Sequence, residues 1–337
     1  MAEEKKNYEI RLARYDEIEE IMEWIDTYWK KGHILANNRK IFENEFCVDG
    51  NVNIYIGREK DTGEIHGILG FLQASKEAEC DVWTSIWKVR QDISTSLLGL
   101  KLKQALMKRE GVRYNLCIGA NPQTSVRIHK IIFGYHVDKM NHYYCMSQRQ
   151  EYKIAKILHE VPLINNSGKS AVTIERLENI KSFKEFYPSM KKDVVPYKDC
   201  WYIQKHYYEH PVYQYLVYGL WDEQKNERGV LVCREQEYNG ETALRIVDYL
   251  GEARLFGELS YFFEEKLKRY EYIDFYCYGF PEKYVEQAGM VKLEEDDTNV
   301  IPNYFSPYVC ENIDIWIAEP NEKCTFFKAD GDQDRPN

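Results

Sequence analysis

The chain has 337 residues, with 45 Lys and Arg against 55 Asp and Glu, a net charge of −10 and an apolar fraction of 44%. That length suits two domains, each able to bury its own core, and the acidic balance argues against a long electrostatic grip on DNA or RNA. The nine cysteines are never at C-x-x-C spacing, which excludes a zinc ribbon or dithiol redox site and reads as reduced core thiols. No signal core follows the N-terminus and no run reaches eighteen apolar residues, so the expectation is a soluble, cytoplasmic protein with no membrane partner.

In chain order, Tyr8–Ala13 predicts a strand, and apolar residues at 18, 21, 22, 25 and 29 predict a helix over Asp16–Trp29. Gly32–Phe46 predicts a loop and a second helix. Asn53–Glu59 and Ile65–Ala74 predict two strands turning at Asp61-Thr62-Gly63. A long strand over Asp81–Val89 leads into a helix over Ile93–Arg109. A short strand over Tyr114–Ile118, a helix over Ser125–Phe133 closed by Gly134, and a strand region over Tyr135–Ser147 follow. Val172–Leu177, Tyr213–Leu220, Gly229–Glu235 and Leu244–Leu250 predict strands. Phe256–Tyr270 is expected to be helical, Tyr272–Tyr278 a strand, Pro281–Gln287 a helix and Ile313–Ala318 the last strand. The polar stretch Lys328–Asn337 reads as a disordered tail.

The second half repeats the layout of the first. Trp83–Val137 and Ala243–Val291 each run as a long strand, a short loop opening a helix, a strand, a short helix and a Gly-aromatic or Gly-Met step into another strand. Two copies of one unit imply two similar domains with a site between them. The expected division is 1–150, a linker at 151–170 around Asn165–Gly168, a second domain at 171–320 and a tail at 321–337. The class is α/β (α+β), each domain a mixed, mostly antiparallel sheet flanked by helices.

Between Val89 and Leu106 a strand ends, a small polar loop follows at Gln91–Ser96, and a helix begins. Backbone N–H groups at such a helix start, with the hydroxyls of Ser94, Thr95 and Ser96, suit a phosphate. The whole order of strands and helices resembles the Gcn5-related N-acetyltransferase superfamily. The resemblance implies an acyl-CoA pyrophosphate held from Arg90 through Ser94, Thr95 and Ser96 to Gly99. Thr95 and Leu97 stand where that family usually has glycines. It also implies a thioester carbonyl polarised by strand backbone at Trp87–Val89, and a pantetheine arm lying along Cys117–Asn121. His129 and Lys130 stand where the family often has a tyrosine.

The second half looks like a degenerate copy, with an acidic loop at Gly251–Leu255 unattractive for a second coenzyme A. The tandem arrangement is similar to bacterial nucleotide-sugar N-acyltransferases, of the type acting on dTDP-3-amino-3,6-dideoxyhexose in surface polysaccharide synthesis. That resemblance implies acetyl-CoA or 3-hydroxybutanoyl-CoA as cosubstrate, no metal, a nucleotide-linked amino sugar as acceptor, and a possible homo-oligomer. Arg245, Tyr249, Tyr276, Asn303, Tyr304 and Phe305 are the expected acceptor-binding residues. Arg245 and Asp248, three apart on a strand, are expected to face opposite sides. Asp248, His142 and His206, in that order, are the expected general bases. His206-Tyr-Tyr-Glu209-His210 spells an inverted zinc-protease pattern, but Pro211 biases His210 away from helical geometry. Two other readings remain: a Fem-like transferase using aminoacyl-tRNA, which the acidic charge disfavours, and a ligand-binding protein that kept the fold without catalysis.

Overall fold

The computed structural model describes residues 7–93, 97–164, 172–188, 190–224, 227–320 and 323–336. Two twisted sheets carry the fold. The first runs in the order Tyr8–Leu12, Ile54–Glu59, Ile65–Gln73, Cys80–Val89, Val112–Ile118, Trp316–Glu319, His136–Lys139. The second runs Val172–Arg176, Tyr215–Asp222, Arg228–Tyr238, Glu241–Gly251, Tyr272–Tyr278, Asn141–Met146, Val291–Lys292. Each is antiparallel except at one step. Cys80–Val89 runs parallel to Val112–Ile118, and Glu241–Gly251 runs parallel to Tyr272–Tyr278. The intervening helices, Leu98–Met107 in the first half and Ser260–Leu267 in the second, are the crossovers such parallel pairs require.

The sheets exchange strands. Trp316–Glu319, from the end of the chain, sits between Val112–Ile118 and His136–Lys139. Asn141–Met146, from the first half, sits between Tyr272–Tyr278 and Val291–Lys292. The expected single strand region at Tyr135–Ser147 is therefore two strands in two sheets, parted at Met140. Alternation along a strand fixes its buried face but not its sheet. The stretch before the second sheet is also anchored: the buried Glu271 carboxylate accepts from the backbone N–H groups of Lys153, Ile154 and Ala155. Fragments cut between 164 and 172 are accordingly expected to be insoluble when expressed singly and soluble when co-expressed, as gel filtration would report. A monodisperse single fragment would overturn the exchange.

The largest departure is at the C-terminus. Residues 323–336 are not a loose tail. Phe326–Phe327 pairs with Cys277–Tyr278 on the side where Glu241–Gly251 has already diverged. The Ala329 N–H then bonds the Val247 carbonyl across the gap. Three charged residues of the segment are taken into the interior by ion pairs. Lys198 Nζ lies 2.7 Å from both Asp248 and Asp330, Arg234 makes two bonds to Asp334, and Arg335 holds Glu45 at 2.7 Å.

Helix limits are tighter than periodicity suggests. The first helix is a 3-10 turn, an α-helix over Ile18–Trp24 and a π-turn over Ile25–Trp29. Phe256–Tyr270 divides into Ala253–Phe256 and Ser260–Leu267. Among the described residues no helix is long and apolar enough to cross a membrane.

Candidate active site

Both halves build the same fork. In the first, the parallel ladder ends at Thr84 opposite Cys117, although the strands run on to Val89 and Ile118. The outer ladder shifts register there too: Leu69 pairs Trp87, but Phe71 pairs Thr84, which adds a residue to the long strand at 85–86. In the second, the ladder ends at Ile246 opposite Phe275, and a register shift opposite Val232–Cys233 adds a residue at Val247. A bulge bends its strand and sharpens the local twist, so each long strand peels from its parallel neighbour at the bulge.

The two forks differ in what fills them. The C-terminal segment occupies the second through Phe326, Phe327 and Ala329, leaving a small apolar cavity of about 330 Å³ against Tyr249, Leu250 and Phe280. The first opens into a cleft of about 640 Å³. One wall is Thr84–Lys88 with Cys117–Asn121, and the other is Tyr213, Arg234, Gln236, Arg245 and Asn303–Ser306. Lys328 and Asp332–Arg335 run between them. Asp332 accepts from Ser85 Oγ at 2.8 Å. The side chain of Gln333 lies so close to Gly119, whose φ is +74°, that a Cβ there would stand 1.9 Å from Gln333 Nε2. Only glycine fits both that backbone and that contact.

The expected donors fall into two groups. Trp87, Asn121, Arg245, Asn303, Tyr304 and Phe305 line the cleft. Val89, Arg90 and Gly99 stand beside it: Trp87 Nε1 donates to the Gly99 carbonyl at 3.0 Å, and Arg90 is taken up by Glu64 and Asp92. Ser94, Thr95 and Ser96 lie outside the described residues. Beneath the fork, the buried Lys103 donates to Thr84 Oγ1 and Asn115 Oδ1, and burial pulls its pKa down to about 8. His129 is also buried, edge-on to Trp87 with its Nδ1 against the Ser125 carbonyl, whereas Lys130 is exposed.

The three expected bases do not line this cleft. Asp248 accepts from Lys198, from the Tyr207 hydroxyl and from the Tyr249 N–H. It and Arg245 bury towards one side, among Tyr207 and Tyr276, while Ile246 and Tyr249 pack into the other core. The expectation of opposite faces fails because the extra residue at Val247 resets the alternation. His142 stacks on Tyr276 at 3.7 Å and faces Asp274 at 3.1 Å; burial lowers its pKa. His206 lies between the rings of Tyr202 and Tyr215, where burial holds it near about 3.

Arg245 organises the wall it lines rather than offering donors to it. Its guanidinium spends its N–H groups on Asp274, the carbonyls of Pro302 and Asn303, and Asn303 Oδ1. Burial opposes charge on Asp274, yet Arg245 and His142 together outweigh that and hold the carboxyl low. Asn303 is thereby fixed with its Nδ2 buried and without a partner among the described residues. Tyr276 lies under Arg245, and Tyr249 belongs to the second fork. Tyr213, Arg234, Gln236, Lys328 and Asp332–Arg335 also line the cleft and were not expected there. The one available signal was Gly331, which breaks a polar run and sits against Ile118 and Trp83.

No protein-family model matches the chain, and no curated protein sequence matches it. Solved structures do. A GCN5-related N-acetyltransferase from Anabaena variabilis aligns with a TM-score of 0.56 at 9% identity, over 93% of this chain and 72% of that one. A probable N-acyltransferase from Enterococcus faecalis aligns with a TM-score of 0.52 at 10% identity, again over 93% and 72%. At that identity the likeness is one of fold: two GCN5-related N-acetyltransferase-like halves in tandem.

Proposed function

We propose that the chain is an acyl-CoA-dependent N-acyltransferase, working at the fork between Cys80–Val89 and Val112–Ile118. The observation that carries this is the end of the ladder at Thr84–Cys117 within the cleft. Past that point the strand edges have no ladder partner in each other, so their backbone groups can bond an extended, amide-bearing arm laid between them. Lys30 and Lys88 line the same cleft, a favourable setting for an anionic cosubstrate. An N–H of the long strand beyond Thr84 would polarise the thioester carbonyl and stabilise the oxyanion.

The acceptor would enter from the opposite wall. Tyr304 and Phe305 offer aromatic rings, Gln236 and Asn303 offer amides, and Arg234 lies at the same wall, over the Tyr213 ring at 3.9 Å. Aromatic faces with adjacent amides and a cation suit a sugar joined to a nucleoside diphosphate. A nucleotide-linked amino sugar is therefore the proposed acceptor, with acetyl- or 3-hydroxybutanoyl-CoA as donor. The test is free-thiol release from a panel of acyl-CoAs, with and without dTDP- and UDP-linked amino sugars. Release that requires both partners is expected. No release, with no acyl-CoA-dependent rise in melting temperature, would sink the assignment.

A further inference from the structure

We propose that Lys328 takes the proton from the acceptor amine, an inference that rests on the transferase assignment above. Lys328 lies in the cleft between the acceptor wall and the first fork. Its Nζ donates to the Gln333 carbonyl at 2.5 Å, and the Gln333 side chain reaches the Ile118 carbonyl at the fork at 3.5 Å. The amine thus stands one residue's reach from where the strands part.

The carboxylates, the histidine and the thiol of the cleft are committed or unsuited. Asp334 is held by Arg234 and by the Tyr215 hydroxyl. Asp332 accepts from Ser85 and pairs with Arg335 at 3.3 Å. His33 accepts from the Leu35 N–H, and burial pulls it to about 4. Burial pushes the Cys117 thiol up to about 11.

Lys328 makes no ion pair with a carboxylate among the described residues. It is 2% exposed, and the charged groups facing it come as pairs, Arg234 with Asp334 and Arg245 with Asp274, beside the Tyr276 ring. Burial is the largest influence on its ammonium. The two arginines add to it, the two aspartates oppose it, and the result is a pKa of about 7. A lysine so placed has a lone pair at neutral pH, which an ordinary surface lysine lacks.

The acceptor ammonium gives one proton to Lys328 Nζ, which passes it to solvent. The freed nitrogen lone pair attacks the thioester carbon. The second proton, shed as the C–N bond forms, goes to sulfur as the C–S bond breaks.

The test compares wild type with Lys328→Arg and Lys328→Met. Arginine keeps the charge but cannot deprotonate. Either variant is expected to lose about 100-fold or more in kcat, the usual worth of a positioned proton acceptor, with acyl-CoA binding nearly unchanged. The wild-type rate should rise with pH through about 7, and that limb should vanish in the variants. A folded Lys328→Arg with a kcat within about threefold of wild type overturns the inference. If neither variant folds, a wild-type profile without an ionisation between pH 6 and 8 overturns it equally. A wild type that releases no thiol with any acceptor removes the transferase assignment itself, and this inference with it.

Discussion

Ending the chain after Phe327 is expected to yield a protein that no longer unfolds cooperatively. The ten residues removed look dispensable by composition, but they carry partners for three buried charges. Lys198 would lose Asp330 while keeping Asp248, Arg234 would lose Asp334, and Glu45 would lose Arg335. Removing one partner of a buried ion pair costs about 3–5 kcal/mol, and the two outright losses, at Arg234 and Glu45, already reach the lower part of a typical protein's whole stability, about 5–15 kcal/mol. The Ala329–Val247 bond that bridges the second fork goes with them. A single substitution separates charge from chain length. Asp334→Ala leaves the Arg234 guanidinium and the Tyr215 hydroxyl buried without their acceptor. Its expected cost of about 3–5 kcal/mol should lower the melting temperature by roughly 10 °C. A truncated chain melting within a few degrees of the full one would show that the segment is an appendage.

How far the chain could be read from its sequence follows from where the relevant physics is local. The duplication is local: each half writes strand, loop, helix and strand in order, so the tandem layout was legible before any contact was known. Trp87 and Asn121 were legible through the family resemblance, and Asn303–Phe305 through Pro302 and Pro307, which stiffen their loop. The exchange of Asn141–Met146 for Trp316–Glu319 was not, because a strand's own residues do not name its neighbour. Asp248 misled because its meaning depends on the bulge at Val247, whose only trace is a register shift against another strand. Lys328 and Asp332–Arg335 misled because a polar run is solvated by default. It becomes core only when its charges meet Arg234, Lys198 and Glu45, which are distant in sequence.

Stability is expected to climb steadily from acid to mildly alkaline pH, and the sign follows from burial. His33, His129 and His206 are held near about 4, 3 and 3 by burial first of all, against about 6.5 in an unfolded chain. The native state therefore refuses protons that the unfolded chain accepts. The stability these groups contribute is full above pH 6.5 and is lost as the pH falls towards their folded values. Each costs about 1.4 kcal/mol per pH unit in that window, so the three together remove roughly 8 kcal/mol between pH 6.5 and 4.5. Glu45 and Asp330 act the other way, because burial raises both and their native forms take up protons early. They offset part of the loss. On the alkaline side, burial holds Lys103 and Lys205 near about 8 and Lys328 near about 7, against about 10.4 unfolded. There the unfolded chain keeps protons the native state has shed, so stability should go on rising from pH 7 to about 8.5, the thiol value of an unfolded chain. Beyond that the buried cysteines, and then Tyr202, Tyr207 and Tyr215, all raised by burial, reverse the slope. Urea unfolding across pH 4.5–10 checks the profile, and a flat acid limb would sink it. His129→Phe isolates the share of one histidine. Phenylalanine suits a site already lined by Trp87, Phe133 and Tyr135. Its acid limb should be shallower by about 1.4 kcal/mol per pH unit, even if the variant is less stable at neutral pH.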